Sequence, residues 1–132
     1  KHLISVVPLQ CATLFNNDGY AMMDPRQNPV IVDDGEELPG TAAIGFDWYD
    51  PDVNIHHFFW SIRSVSVRRG CTLEVFENEG FTGRSGAYST PANGPAGQFE
   101  LNETPNNMNT IRIKSLKCHC PGMFCYSQTF CL

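Results

Sequence analysis

The chain predicts an all-β fold closed by disulfides, and three observations predict it. Two segments alternate apolar and polar residues with the period of a half-buried strand, Cys71-Thr72-Leu73-Glu74-Val75 and Ile111-Arg112-Ile113-Lys114. Turns rich in glycine and short polar residues stand beside them, as in Glu77-Asn78-Glu79-Gly80. Six cysteines fall among only 132 residues, an even number that reads as three disulfides and an oxidising, extracellular life.

The stretch Phe76-Glu77-Asn78-Glu79-Gly80-Phe81-Thr82-Gly83 carries the most information. Its first glycine takes a positive φ at no steric cost, and Gly83 allows a second sharp turn. Between them Phe81 brings a second ring back onto Phe76, a pair worth about 0.5–1.5 kcal/mol beyond its burial. This spacing of two aromatics and a glycine resembles the Greek-key signature of the βγ-crystallin superfamily. The resemblance implies a two-sheet Greek-key β-sandwich in which the third strand of each key crosses to the other sheet. Leu14, Phe15, Val65, Val67, Leu73, Val75, Ile111 and Ile113 would then be buried between the sheets.

Taken in chain order on that pattern, key one begins at Ala12-Thr13-Leu14-Phe15 and repeats the aromatic spacing at Tyr20, with Met22 where the glycine belongs. Ser64 opens its last strand, and Arg68-Arg69-Gly70 turns into key two. Thr110 to Ile113 is the matching last strand of key two. Residues 1–132 then form one domain, with key one over about 11–69, key two over about 70–118 and a Cys-rich tail over 119–132. Key one is longer by about 15 residues, placed between Val32 and Phe58, which loop-closure entropy tolerates. Long loops on a rigid scaffold are where function tends to sit.

In such a key the first and fourth strands are antiparallel neighbours, so Cys71 is expected to bond Cys118 or Cys120. The remaining pairings among Cys11, Cys118, Cys120, Cys125 and Cys131 stay open. The spacing Cys118-His119-Cys120 lacks the paired knuckles of a structural zinc site.

The lengthened region is acidic. Between Arg26 and Arg63 there is no Lys or Arg, while Asp33, Asp34, Glu36, Glu37, Asp47, Asp50 and Asp52 make up half of the chain's 14 acids. Asp50-Pro51-Asp52-Val53-Asn54 sets oxygens at alternate positions, as a calcium loop begins, but Ile55 and Ser61 then stand where an EF-hand needs glycine and glutamate. The superfamily's calcium motif is two Asn/Asp, two residues of any kind, Ser/Thr, then the strand-opening serine. Before Ser64 it meets Phe59, Trp60 and Arg63, and before Thr110 it retains Asn106, with Asn109 in place of Ser/Thr. The metal candidates are therefore Asp50, Asp52, Asn54, Asn106 and Asn109; calcium is a cofactor the chain could take, and none is required.

Phe58 and Trp60 share one strand face and are read as core residues; if exposed, Phe58, Phe59 and Trp60 make a patch for a lipid or partner. Asn102-Glu103-Thr104 is a glycosylation acceptor sequence at Asn102. No nucleophile elbow, phosphate loop or H-E-x-x-H motif is present, so the expectation is a protein that is not an enzyme. A net charge of −5 without a basic patch argues against nucleic acid. No run is long and apolar enough to span a membrane, and no uncleaved leader stands at the start, so Lys1-His2 is read as a mature end.

The resemblance implies a secreted structural or binding module of an extracellular fluid, granule or matrix, similar to syncollin in joining a single crystallin-type domain to extra cysteines. Its partner would be an extracellular protein, the matrix or a lipid. The alternatives are a host-defence or toxin-like protein acting on membranes or microbes, and a calcium-binding regulatory or structural protein.

Overall fold

The computed structural model describes residues 9–59, 61–101 and 112–121. The strands are β1 (Gln10–Phe15), β2 (Val30–Asp33), β3 (Glu37–Leu38), β4 (Phe46–Asp50), β5 (Ile55–Phe59), β6 (Ser64–Val67), β7 (Thr72–Asn78), β8 (Thr82–Ser89), β9 (Gly97–Glu100) and β10 (Ser115–His119). One helical turn, α1 (Thr41–Ile44), lies between β3 and β4. The fold is all-β and sandwich-like. One sheet has the order β2-β1-β6-β9 and the other β3-β10-β7-β8, with antiparallel pairing throughout. β3 follows β1 and β2 in the chain but pairs in the second sheet, while β9 follows β7 and β8 but pairs in the first.

Alternation along each strand makes the core. Leu73 and Val75 of β7 are buried while Thr72, Glu74 and Phe76 are partly exposed, and β6 buries Val65 and Val67 around a half-exposed Ser66. With Leu14, Val32 and Leu116 they form one apolar cluster contributed by both sheets. Each such side chain contributes about 1.5–3 kcal/mol of burial. Phe15 departs from the expectation of full burial. It stays half-exposed because its ring packs edge-on against Tyr20, with centroids 6.2 Å apart, instead of entering the core.

The last strand of key two also differs from the expectation. Arg112, Ile113 and Lys114 belong to no strand, Thr110 and Ile111 lie outside the described residues, and β10 begins at Ser115. Ile113 is nonetheless buried. The strand starts where a serine hydroxyl can close a hairpin, and that residue is Ser115.

Two disulfides act on this frame. Cys11–Cys118 joins β1 to β10, one sheet to the other, and Cys71–Cys120 joins the start of β7 to the end of β10 within one sheet. Cys11 lies inside β1 and Cys118 inside β10. Cys125 and Cys131 lie outside the described residues. The stretch between α1 and β6 forms a hairpin of its own, in which β4 pairs with β5 and with no other described strand.

Candidate functional site

A repeated clasp sets the position of everything that projects from the sandwich. The Arg63 N–H donates to the Phe15 carbonyl and the Lys114 N–H to the Phe76 carbonyl, each at 2.9 Å. Ser64 Oγ donates to the Asn17 carbonyl at 2.6 Å and accepts the Tyr20 N–H at 3.1 Å. Ser115 Oγ donates to the Asn78 carbonyl at 2.5 Å and accepts the Phe81 N–H at 3.0 Å. Both serines are fully buried. Between these anchors two successive residues are left-handed in each hairpin, Gly19 and Tyr20 at φ 72° and 60°, and Gly80 and Phe81 at φ 73° and 63°.

A bulky residue at positive φ is unfavourable, so each aromatic needs compensation. The serine hydrogen bond provides part of it. The ring contact provides more, since Phe76 and Phe81 also meet edge-on, with centroids 5.8 Å apart, under the Lys117 ammonium 4.6 Å from the Phe81 ring. The crossing strands close each clasp from outside. The Gly19 N–H donates to the Glu100 carboxylate at the end of β9, and the Gly80 N–H to the Pro39 carbonyl just after β3 at 2.9 Å.

Between β3 and β6, each held at one of these clasps, runs the β4–β5 hairpin. Its base is anchored, because Phe46 is buried in the core. Its tip is not. Among the described residues five large apolar side chains stand exposed, and Tyr49 (47 %), Val53 (56 %) and Ile55 (49 %) are three of them. Asp50 and Asp52 sit among these, with Asp50 Oδ1 accepting the Asp52 N–H at 3.0 Å. The Tyr49 hydroxyl donates to Asn54 Oδ1. Arg26 faces the same acids. Its guanidinium is held above its ordinary pKa first by a hydrogen bond to Asp24 and further by the charges of Asp24, Asp50 and Asp52. The tip thus combines apolar surface with negative charge, a combination suited to contact with another molecule.

The structure gathers some of the sequence candidates and separates others. Asp50, Asp52 and Asn54 share the hairpin tip. Phe59 and Phe58 pair across β5 with Phe46 and Asp47. Trp60, Asn102, Asn106 and Asn109 lie outside the described residues. Cys118 and Cys120 are both in disulfides, which removes the thiolates a zinc site would use. On the first sheet an open polar groove of about 210 Å³ runs past Gln10, Thr13, Ser66, Arg68 and Ala96.

Two contributors escaped the sequence reading. Ser115 could have been found, because Ser115-Leu116-Lys117-Cys118 repeats the serine and alternation of Ser64-Val65-Ser66-Val67. Glu100 carries no such signal; only the crossing of β9 brings it to Gly19. Among the described residues no helix is long and apolar enough to cross a membrane. Comparison of the chain with protein-family models, with curated proteins and with solved structures finds no match.

Proposed function

We propose that the chain is a secreted, non-enzymatic module of the βγ-crystallin type, built of two Greek keys, that binds an extracellular protein or matrix partner through the β4–β5 hairpin. The observation that carries the type is the clasp repeated bond for bond around Ser64 and Ser115, each closed by the third strand of the other half. Two buried disulfides support an oxidising compartment. The exposed Tyr49, Val53 and Ile55 support the hairpin as the contact element, since it leaves apolar area in water at the end of an anchored arm.

Calcium has no part in this reading. Counted back from Ser115, the superfamily's ligand positions fall on Thr110, Ile111 and Lys114, and counted back from Ser64 they fall on Phe59, Trp60 and Arg63. Calcium needs six to eight oxygens, and these residues offer almost none from side chains.

The test is binding of the oxidised chain to arrays of extracellular-matrix and secretory-fluid proteins, beside a Tyr49→Ser/Val53→Ser/Ile55→Ser variant. The reading expects at least one partner that the variant loses. An identical set of partners for both chains refutes the hairpin as the contact. Leakage from phosphatidylcholine or phosphatidylserine vesicles, absent in the variant, would instead favour the membrane-acting alternative.

A further inference from the structure

The two disulfides lie side by side, and their arrangement makes them chemically dependent. The Sγ atoms of Cys11, Cys71 and Cys120 are within 4.8 Å of one another, and all three residues are buried. Among the described residues Cys11–Cys118 is the disulfide that links the sheets, while Cys71–Cys120 joins two strands of the same sheet. Thiol–disulfide exchange needs a thiolate within reach of a second disulfide, and a sulfur held this close has an effective concentration far above that of any dissolved thiol.

We infer that these four cysteines form one exchange unit that keeps the two sheets joined when the inter-sheet bond is opened. The opening step is attack by a small-molecule thiolate on Cys118, which forms a mixed disulfide there and releases Cys11 as a thiolate. Cys11 Sγ then attacks Cys120. The Cys11–Cys120 bond forms, the Cys71–Cys120 bond breaks, and Cys71 leaves with the electron pair. Attack on Cys71 gives Cys11–Cys71 and releases Cys120. In either product the surviving bond runs from β1 to the second sheet. The direction follows from chain entropy, because both products close a longer loop than the separation of 49 spanned by Cys71–Cys120. The inference rests on the sulfur geometry and stands independently of the proposed function.

The first test is disulfide mapping by mass spectrometry, after acid quenching and alkylation, of the Cys118→Ser chain, in which Cys11 has lost its partner. The expected map joins Cys11 to Cys120 or to Cys71; a map in which Cys11 is joined to neither overturns the inference. The second test uses the native chain, so that it does not depend on folding of the variant. After limited reduction with dithiothreitol, molecules that have lost Cys11–Cys118 are expected to carry alkyl labels on Cys118 and on Cys71 or Cys120, with Cys11 still bonded. Labels on Cys11 and Cys118 together, in molecules that keep Cys71 bonded to Cys120, would overturn it.

Discussion

The clasps around Ser64 and Ser115 close with the same hydrogen bonds but differ in the path of the chain beyond the second aromatic ring. After Phe81 the ladder continues at once, with Asn78 paired to Thr82, and the chain stays in β8 for eight residues. Gly83 must then sit at φ 83° with its α-carbon against Glu77, where an added Cβ would lie 2.5 Å from Glu77 Cγ. After Tyr20 only the isolated bridge between Asn17 and Ala21 forms, and the chain departs into a loop before β2. Nothing there requires glycine, and Met22 packs its side chain on the core instead. The serine and the left-handed pair are thus the necessary parts of the clasp. The later glycine belongs to the strand that continues it.

The largest expected effect tests whether the two clasps are equivalent. Ser64→Ala and Ser115→Ala each remove two part-buried hydrogen bonds made by a fully buried hydroxyl, at a cost of about 2–3 kcal/mol apiece. Urea unfolding of both variants should give losses that agree within about 1 kcal/mol. A Ser115→Ala chain as stable as the parent would break the equivalence, and with it the placement of the last strand.

A second pair of substitutions sharpens the difference between the halves. Gly83→Ala forces a side chain into a left-handed, crowded position and should cost about 1–3 kcal/mol. Met22→Ala, at the corresponding place in the first half, loses only part of a half-buried side chain, at about 1 kcal/mol. Thermal melts that rank the two the other way would show that Gly83 is not held by β8. Below these in size come the rings. Phe81→Leu and Tyr20→Leu remove one edge-on contact each, an expected loss of about 0.5–1.5 kcal/mol by denaturant titration, somewhat larger for Phe81 because the Lys117 contact goes with it. Equal losses would mean that the Lys117 contact contributes nothing.

How much of this was legible in the sequence depends on the range over which each feature is determined. The alternation of β7 and its turn is local, so Cys71 to Gly83 announces a hairpin without knowledge of the rest. The partner serine is decided by pairing across the sheet. From sequence alone Thr110-Ile111-Arg112-Ile113 offers the same alternation as Ser115-Leu116-Lys117-Cys118, and only the hydroxyl under Phe81 distinguishes them. The hairpin tip was visible as acid-rich sequence, but its apolar exposure was not. Val53 and Ile55 read equally well as core residues until the turn and the strand that carry them are found on a hairpin that pairs with no other described strand. The sulfur cluster lies further still from local sequence, because Cys11 and Cys118 are 107 positions apart and meet only when the sheets face each other.

The smallest stability effect separates the scaffold from its projecting arm. Replacing residues 50–55 with Asn-Gly keeps Phe46 in the core and closes the remaining strand ends, Tyr49 and His56, through a two-residue turn of the favoured type. Because the tip side chains Val53 and Ile55 stand half in water, their removal forfeits little burial, and a shorter loop costs less to close. The melting temperature should therefore change by no more than a few degrees, about 1 kcal/mol. Partner binding should disappear. Had the hairpin been part of the structural frame, the same deletion would cost at least as much as the loss of a clasp serine, so calorimetry on this one variant decides whether the inserted arm is scaffold or contact surface.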